Sequence, residues 1–214
     1  MATTLFRPVG LDELALIWDS GCREFPPRLP RQPIFYPVTS AEYATRIASD
    51  WNTRESSFAG YVTSFHMKDE YLSKFERHIV GSALHEEYWI PSEQLPEFNR
   101  AIQGPIDVES GFFGESFVGL VPERFNLKGK SAEQQFTVLA LSLDSSRMDF
   151  GLEIATNRKA VYLNCLFWAQ RDFSRVGITA DLKQKALTGV IHAWDYHRIE
   201  PRLPSAFSKI VSES

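Results

Sequence analysis

The stretch Leu84-His85-Glu86-Glu87-Tyr88-Trp89-Ile90-Pro91 places two adjacent carboxylates and an imidazole directly before a run of aromatic and β-branched residues. Such residues favour extended backbone, so the stretch reads as the end of a strand over residues 79–90. Side chains alternate between the two faces of a strand. Alternation therefore sorts Glu87 with His85 and Trp89, and Glu86 with Tyr88, and only one carboxylate points toward whatever His85 and Trp89 line. Taken alone, that group is either salt-bridged at a sheet edge or placed to do chemistry.

Toward the N-terminus, residues 4–9 read as a short strand and 11–20 as a helix, with Leu11, Leu14, Ala15 and Trp18 at helical spacing and Gly21 as its stop. Residues 22–33 hold four prolines and three arginines, Arg23, Arg28 and Arg31. Neither a regular helix nor a central strand tolerates that composition, so this is an ordered loop. An aromatic strand follows over 33–38, then a helix capped by Thr39 or Ser40 and running to about Trp51. Residues 60–67 read as a strand and 69–75 as a short helix or turn. Ser92 reads as the cap of a short helix limited by Pro96, and 104–113 as a closing strand. After Gly119 the pattern turns helical, over 131–143, 159–173 and 181–194, before a loose tail from Glu200. The expectation is an α+β domain over residues 1–118, followed by a mostly helical region over 119–214.

The chain has 214 residues, with 43% hydrophobic and 23% charged, which leaves little room for extensive disorder. Its formal net charge of −4 argues against a nucleic-acid grip as the main function, because such domains carry a basic excess on one face. Cys22 and Cys165 form no metal or redox spacing. No apolar run approaches the ~20 residues of a membrane span, and the N-terminus lacks the regions of a signal peptide. The chain is accordingly read as cytoplasmic, with no membrane partner. Gly129-Lys130-Ser131 lacks the upstream glycine of a phosphate loop, where Arg124 stands instead, and reads as a helix N-cap. His192 and His197 are five apart and lack the i, i+4 spacing of a helical zinc pair, so no metal is expected.

Three stretches remain. Leu5-Phe6-Arg7-Pro8-Val9-Gly10 sets Arg7 among apolar neighbours, and alone it reads as an edge arginine paired to a carboxylate. Phe35 and Tyr36 lie on a strand and Tyr43 on the helix after it, which alone reads as core packing. The third is the Glu86-Glu87 strand. In this order they resemble the ADP-ribosyltransferase family, which transfers ADP-ribose from NAD, over about residues 4–113. The resemblance implies a split mixed or antiparallel β-sheet core. It sets Glu87, rather than Glu86, in the catalytic register of that family's glutamate strand, with Glu86 left to solvent or a salt bridge. It implies Glu87, Tyr36 and Arg7 as catalytic residues, and Arg7, Phe35, Tyr36, Tyr43 and His85 as the NAD-binding set. The chemistry suits those types. A carboxylate stabilises oxocarbenium charge as the nicotinamide–ribose bond breaks, a guanidinium holds phosphate through a fixed fork of donors, and aromatic rings bracket a cationic nicotinamide. Arg23, Arg28 and Arg31 either cover the pyrophosphate, contact the acceptor or are simply solvated.

The chain departs from the family's named classes. Its second strand carries Tyr36 and no Ser-Thr-Ser, Tyr43 follows Tyr36 closely, and His85 stands two residues before Glu87 where arginine- or asparagine-directed toxins have Glu or Gln. The implied activity is a mono-ADP-ribosyltransferase acting on an unspecified protein or nucleic-acid acceptor. The alternatives are an NAD glycohydrolase, or a non-catalytic module on the same fold that binds a nucleotide, ADP-ribose or a protein. The helical region has no counterpart in the resemblance.

Overall fold

The computed structural model describes residues 1–80, 85–143 and 147–213. Residues 81–84, inside the strand expected over 79–90, and Ser214 lie outside the described residues. The fold is α+β, and the paired strands are antiparallel. It divides into two compact units, Met1–Glu115 and Ser116–Ser214. In chain order the first unit contains β1 (Ala2–Gly10), α1 (Leu11–Asp19), β2 (Ile34–Phe35), α2 (Ala41–Asp50), β3 (Ala59–Lys68) and α3 (Asp69–Leu72). It continues with β4 (Arg77–Ile79), β5 (Glu86–Tyr88), β6 (Ile90–Pro91), α4 (Leu95–Ala101) and β7 (Ile102–Phe113).

Burial alternates along β1: Leu5, Arg7 and Val9 are buried, while Phe6 and Pro8 are half-buried. β1 pairs with β3 from Ala2 opposite Lys68 to Gly10 opposite Gly60. β3 lies between β1 and β7 and is buried on both faces from Ala59 to Phe65, as a covered central strand must be. Helix α2, capped by the Ser40 hydroxyl accepting from the Tyr43 N–H, covers one face. Its Ala44 and Ala48 pack with Val38 and Val62, and Phe6, Tyr43 and Phe112 close around them. Gly60 is the point of closest approach, since a Cβ there would fall on the Ala48 carbonyl. The other face carries Phe25, Phe35, Phe65 and Phe98 in edge or tilted contacts at 4.8 to 5.9 Å. Phe25 belongs to the proline-rich loop. The Asn99 carboxamide accepts from its N–H at 3.0 Å and donates to its carbonyl at 2.9 Å.

The strand expected over 33–38 is regular only at Ile34–Phe35. Its antiparallel ladder nonetheless continues in one register: Ile34 faces Pro91, Phe35 faces Ile90 and Val38 faces Glu87. Ser92 N–H donates to the Pro33 carbonyl at 2.8 Å, Tyr88 N–H to Pro37 at 2.9 Å and Thr39 N–H to Glu86 at 3.0 Å. Pro37 has no N–H to give, which interrupts the ladder midway. The single strand expected over 79–90 is instead two paired strands, β4 and β5, with His78 opposite Glu87, followed by β6. Ser92 does not cap α4. That helix starts at Leu95 after a 3₁₀ turn, with Pro96 in its first turn, where a missing N–H is harmless.

The second unit contains α5 (Ala132–Ser142), α6 (Arg147–Thr156), α7 (Arg158–Gln170), α8 (Ala180–Tyr196) and α9 (Ser205–Glu213). Every residue of α7 from Ala160 to Ala169 is buried, the mark of a helix enclosed on all sides. Its one buried amide, Asn164, is fully used by Leu120 and Gln135. Ser131 caps α5 through a capping box with Gln134. The tail expected to be loose instead forms α9, which buries Phe207 and Val211. Cys22 and Cys165 are both buried, and neither forms a disulfide.

Candidate functional site

Neighbours across antiparallel strands share a face. The bridges from Phe6 to Val38 and from Val38 to Glu87, with the β4–β5 pair, therefore form one row: Phe6, Val38, Glu87, His78. This row places the Glu87 side chain on the Phe6 side of the sheet. The core side of β5 and β6 carries Tyr88 and Ile90 instead, both buried, so Glu87 faces a partly open surface and not the core.

That surface is aromatic. Trp89 Nε1 donates to Glu87 Oε1 at 2.8 Å. One face of the Trp89 ring is stacked by His78 at 4.2 Å, and Tyr36 meets it edge-on at 6.0 Å. Tyr43 stacks on His85 at 4.2 Å with 15° between the rings. The His85 Nδ1 lies 3.2 Å from the Val80 carbonyl, which can only accept, so Nδ1 carries the hydrogen. Burial, and after it the negative charge of Glu87, push the Tyr43 phenol above its ordinary range. Tyr36 and Trp89 remain 38% and 42% exposed, so their rings can receive a planar ligand. Glu86 is otherwise engaged: Arg77 Nη1 lies 3.4 Å from its Oε2, and Thr39 Oγ1 donates to the same oxygen at 3.5 Å.

Arg7 is placed differently. It projects with Leu5 and Val9 from the opposite face of β1. There its Nε and Nη2 grip both oxygens of Glu13, on α1, at 2.7 and 3.1 Å. Its guanidinium lies 4.5 Å from the centre of the buried Phe35 ring, and its Nη1 donates to the Tyr36 carbonyl at 3.3 Å. The reading of Arg7 as an arginine paired to a carboxylate describes this geometry. Arg28, from the proline-rich loop, joins the same carboxylate, with Nη1 3.8 Å from Glu13 Oε1 and Nη2 donating to Gln32 at 2.7 Å. Burial first, and then the Arg7 charge, lower the Arg28 pKa; the Tyr36 phenol is close enough to affect the same titration.

The structure thus gathers Tyr36, Tyr43, His85 and Glu87 on one surface. Arg7 and Phe35 lie on the other side of β1, and Arg7 meets Tyr36 through that residue's carbonyl. His78 and Trp89 belong to the set and were not among the expected site residues. Alternation had already put Trp89 beside Glu87, whereas His78 becomes its neighbour only through the β4–β5 register, which the sequence does not display. A separate shallow hollow of about 280 Å³, lined by Lys68, Tyr71, Lys74 and Arg100 among others, shares no residue with this surface. Among the described residues, no three His, Cys, Asp or Glu side chains are grouped to hold a metal ion, and no helix is long and apolar enough to cross a membrane. No protein-family model, curated protein or solved structure matches the chain.

Proposed function

We propose that the first unit is an ADP-ribosyltransferase-like core that binds NAD against the Glu87 surface and transfers its ADP-ribose to a macromolecular acceptor, releasing nicotinamide. The observation that carries this reading is a single carboxylate, Glu87, oriented by the Trp89 indole N–H among partly open aromatic rings while its neighbour Glu86 is spent on Arg77 and Thr39. NAD supplies a bond between ribose and a cationic leaving group, whose cleavage develops positive charge on the sugar. Tyr36 and Trp89 offer the faces that attract a cationic ring. Glu87 is charged in advance where positive charge develops, and Trp89 holds it still, so stabilisation requires little rearrangement. The stacked Tyr43–His85 pair walls the set on the α2 side and is the place to look for acceptor selectivity.

The test is incubation of the purified chain with NAD, with and without candidate proteins and nucleic acids, reading free nicotinamide and attached ADP-ribose. Glu87→Gln should reduce nicotinamide release by about 100-fold or more while leaving the unfolding midpoint nearly unchanged. Absence of release with every acceptor, or wild-type rates in Glu87→Gln, would defeat the proposal. Free ADP-ribose as the sole product would reassign the activity to hydrolysis of NAD.

A further inference from the structure

We propose that the shallow hollow lined by the end of β3, by α3 and by α4 binds a free acidic amino acid of the size of aspartate or glutamate. Its volume, about 280 Å³, falls below that of sites for drug-sized ligands and suits a smaller molecule. Three cations, Lys68, Lys74 and Arg100, and two carboxylates, Glu70 and Glu97, line it. Lys74 Nζ and Glu97 Oε1 answer each other at 3.0 Å. Among the described residues, the side chains of Lys68, Arg100 and Glu70 have no ion-pair partner. The unanswered set is two positive charges and one negative, and its complement is a molecule with two carboxylates and one ammonium. The Arg100 fork suits one planar carboxylate, Lys68 suits the second as a point charge, and Glu70 can accept from the ammonium. Tyr71 supplies a separate indication of a ligand. It is 7% exposed, and its hydroxyl is buried without a hydrogen-bond partner, a costly state for a polar group. Its ring meets Phe75 and Phe98 at 5.4 and 6.1 Å, which hold it in place. Burial first, and then the Glu97 charge, raise the phenol above its ordinary range, while Arg100 opposes them. Both charges line the hollow, so the hydroxyl end of the ring is the end that faces it. The Lys74 ammonium lies over the ring, 4.7 Å from its centre, and the Lys74 and Glu97 side chains are more than half exposed. An exposed pair of this kind parts at little cost, and a ligand carboxylate then accepts from the Tyr71 hydroxyl.

The hollow shares no residue with the Glu87 surface, so its test stands whether or not the chain turns over NAD. L-Glutamate and L-aspartate are titrated calorimetrically into the full chain at constant ionic strength. Glutarate and succinate, which lack the ammonium, and L-glutamine and L-asparagine, which lack the second carboxylate, are titrated alongside. At least one acidic amino acid should bind saturably, and about tenfold more tightly than its two analogues. Arg100→Gln should weaken that binding by about tenfold, through loss of the fork. Tyr71→Phe should weaken it by a similar factor, through loss of one hydrogen bond to a charged group, without lowering the unfolding midpoint of the unliganded chain. Glu70→Gln should weaken binding of the amino acid and leave that of the dicarboxylate unchanged or tighter, which narrows the preference between them. No saturable binding of either amino acid overturns the proposal. So does an analogue bound as tightly as its amino acid, or any one of the three variants that binds as the unaltered chain does. Arg100 and Glu70 are exposed, so if Tyr71→Phe does not fold, their two variants decide by the same outcomes.

Discussion

Trp89 gives Glu87 a hydrogen bond through its indole N–H and offers His78 a ring face, so one substitution separates orientation from ring binding. Trp89→Phe keeps an aromatic ring and deletes the donor. A hydrogen bond to a charged group contributes roughly 1.5–3 kcal/mol, so nicotinamide release should fall by about tenfold or more in kcat with little change in KM. A loss confined to KM would instead assign Trp89 to holding the ligand. Tyr43 reports on the same carboxylate without any turnover. Its phenol is raised by burial and then by the Glu87 charge, so in Glu87→Gln it should titrate at lower pH than in the parent, though still above the ordinary value of ~10. The sign for stability follows. The folded chain keeps a proton that the unfolded chain gives up above about pH 10, so Tyr43 makes stability fall as pH rises through that window, and Glu87→Gln should soften the fall. Phenolate absorbance and alkaline unfolding curves read the two effects; an unshifted Tyr43 would mean that Glu87 is not its neighbour in solution.

At the level of elements, helix α2 approaches β3 so closely at Gly60 that no side chain fits. Gly60→Ala should lower stability by about 1–3 kcal/mol through overpacking, read as a shift of the denaturant midpoint with an unchanged slope; a midpoint equal to that of the parent would show that α2 yields freely there. The elements legible in the sequence were those with local signals. The cap at Thr39 or Ser40, which falls on Ser40, the Ser131 cap, the Gly21 stop and the apolar spacing of α1, α5 and α8 all correspond to features of the structure. Helix α7 is a helix where one was expected, but it is buried all round and not on one face. Elements defined by partners were not legible. The β4–β5 pairing depends on long-range register, and the ladder at Pro37 on which N–H groups a proline removes. Helix α6 has Gly151 in its middle, with His197 packed against it, and so lacks a clear periodic signal. The tail from Glu200 reads as loose because Pro201 and Pro204 interrupt its start, yet Phe207, Ile210 and Val211 have the helical spacing that α9 uses.

Over the whole molecule, the α+β character and the helical second unit could be read from the order of hydrophobic periods, because those periods are set locally. How side chains converge could not. Alternation separated Glu87 from Glu86 and Arg7 from Phe6, yet nothing in the chain announced that Glu87 would fall on the Phe6 side of the sheet, or that Arg7 on the other side would meet Glu13 and Arg28. The arginines of the proline-rich loop were ambiguous for the same reason: whether a loop arginine is solvated or buried depends on where the loop docks. That docking rests heavily on one carboxamide. Asn99 takes the place of a missing strand partner for Phe25, accepting from its N–H and donating to its carbonyl. Asn99→Asp keeps the acceptor but sets a carboxylate against that carbonyl, a change of one functional group that turns an attachment into a repulsion. Amide hydrogen exchange around Phe25 should then quicken while β1 and β3 stay protected, and unchanged exchange would mean that the buried Phe25 ring, the hydrogen bond from Ile106 N–H to the Cys22 carbonyl and the Arg28–Glu13 pair hold the loop without Asn99. Arg28 rides on that segment, so its distance from Arg7 becomes a property of a separately opening unit, one that can be loosened without unfolding the sheet beneath it.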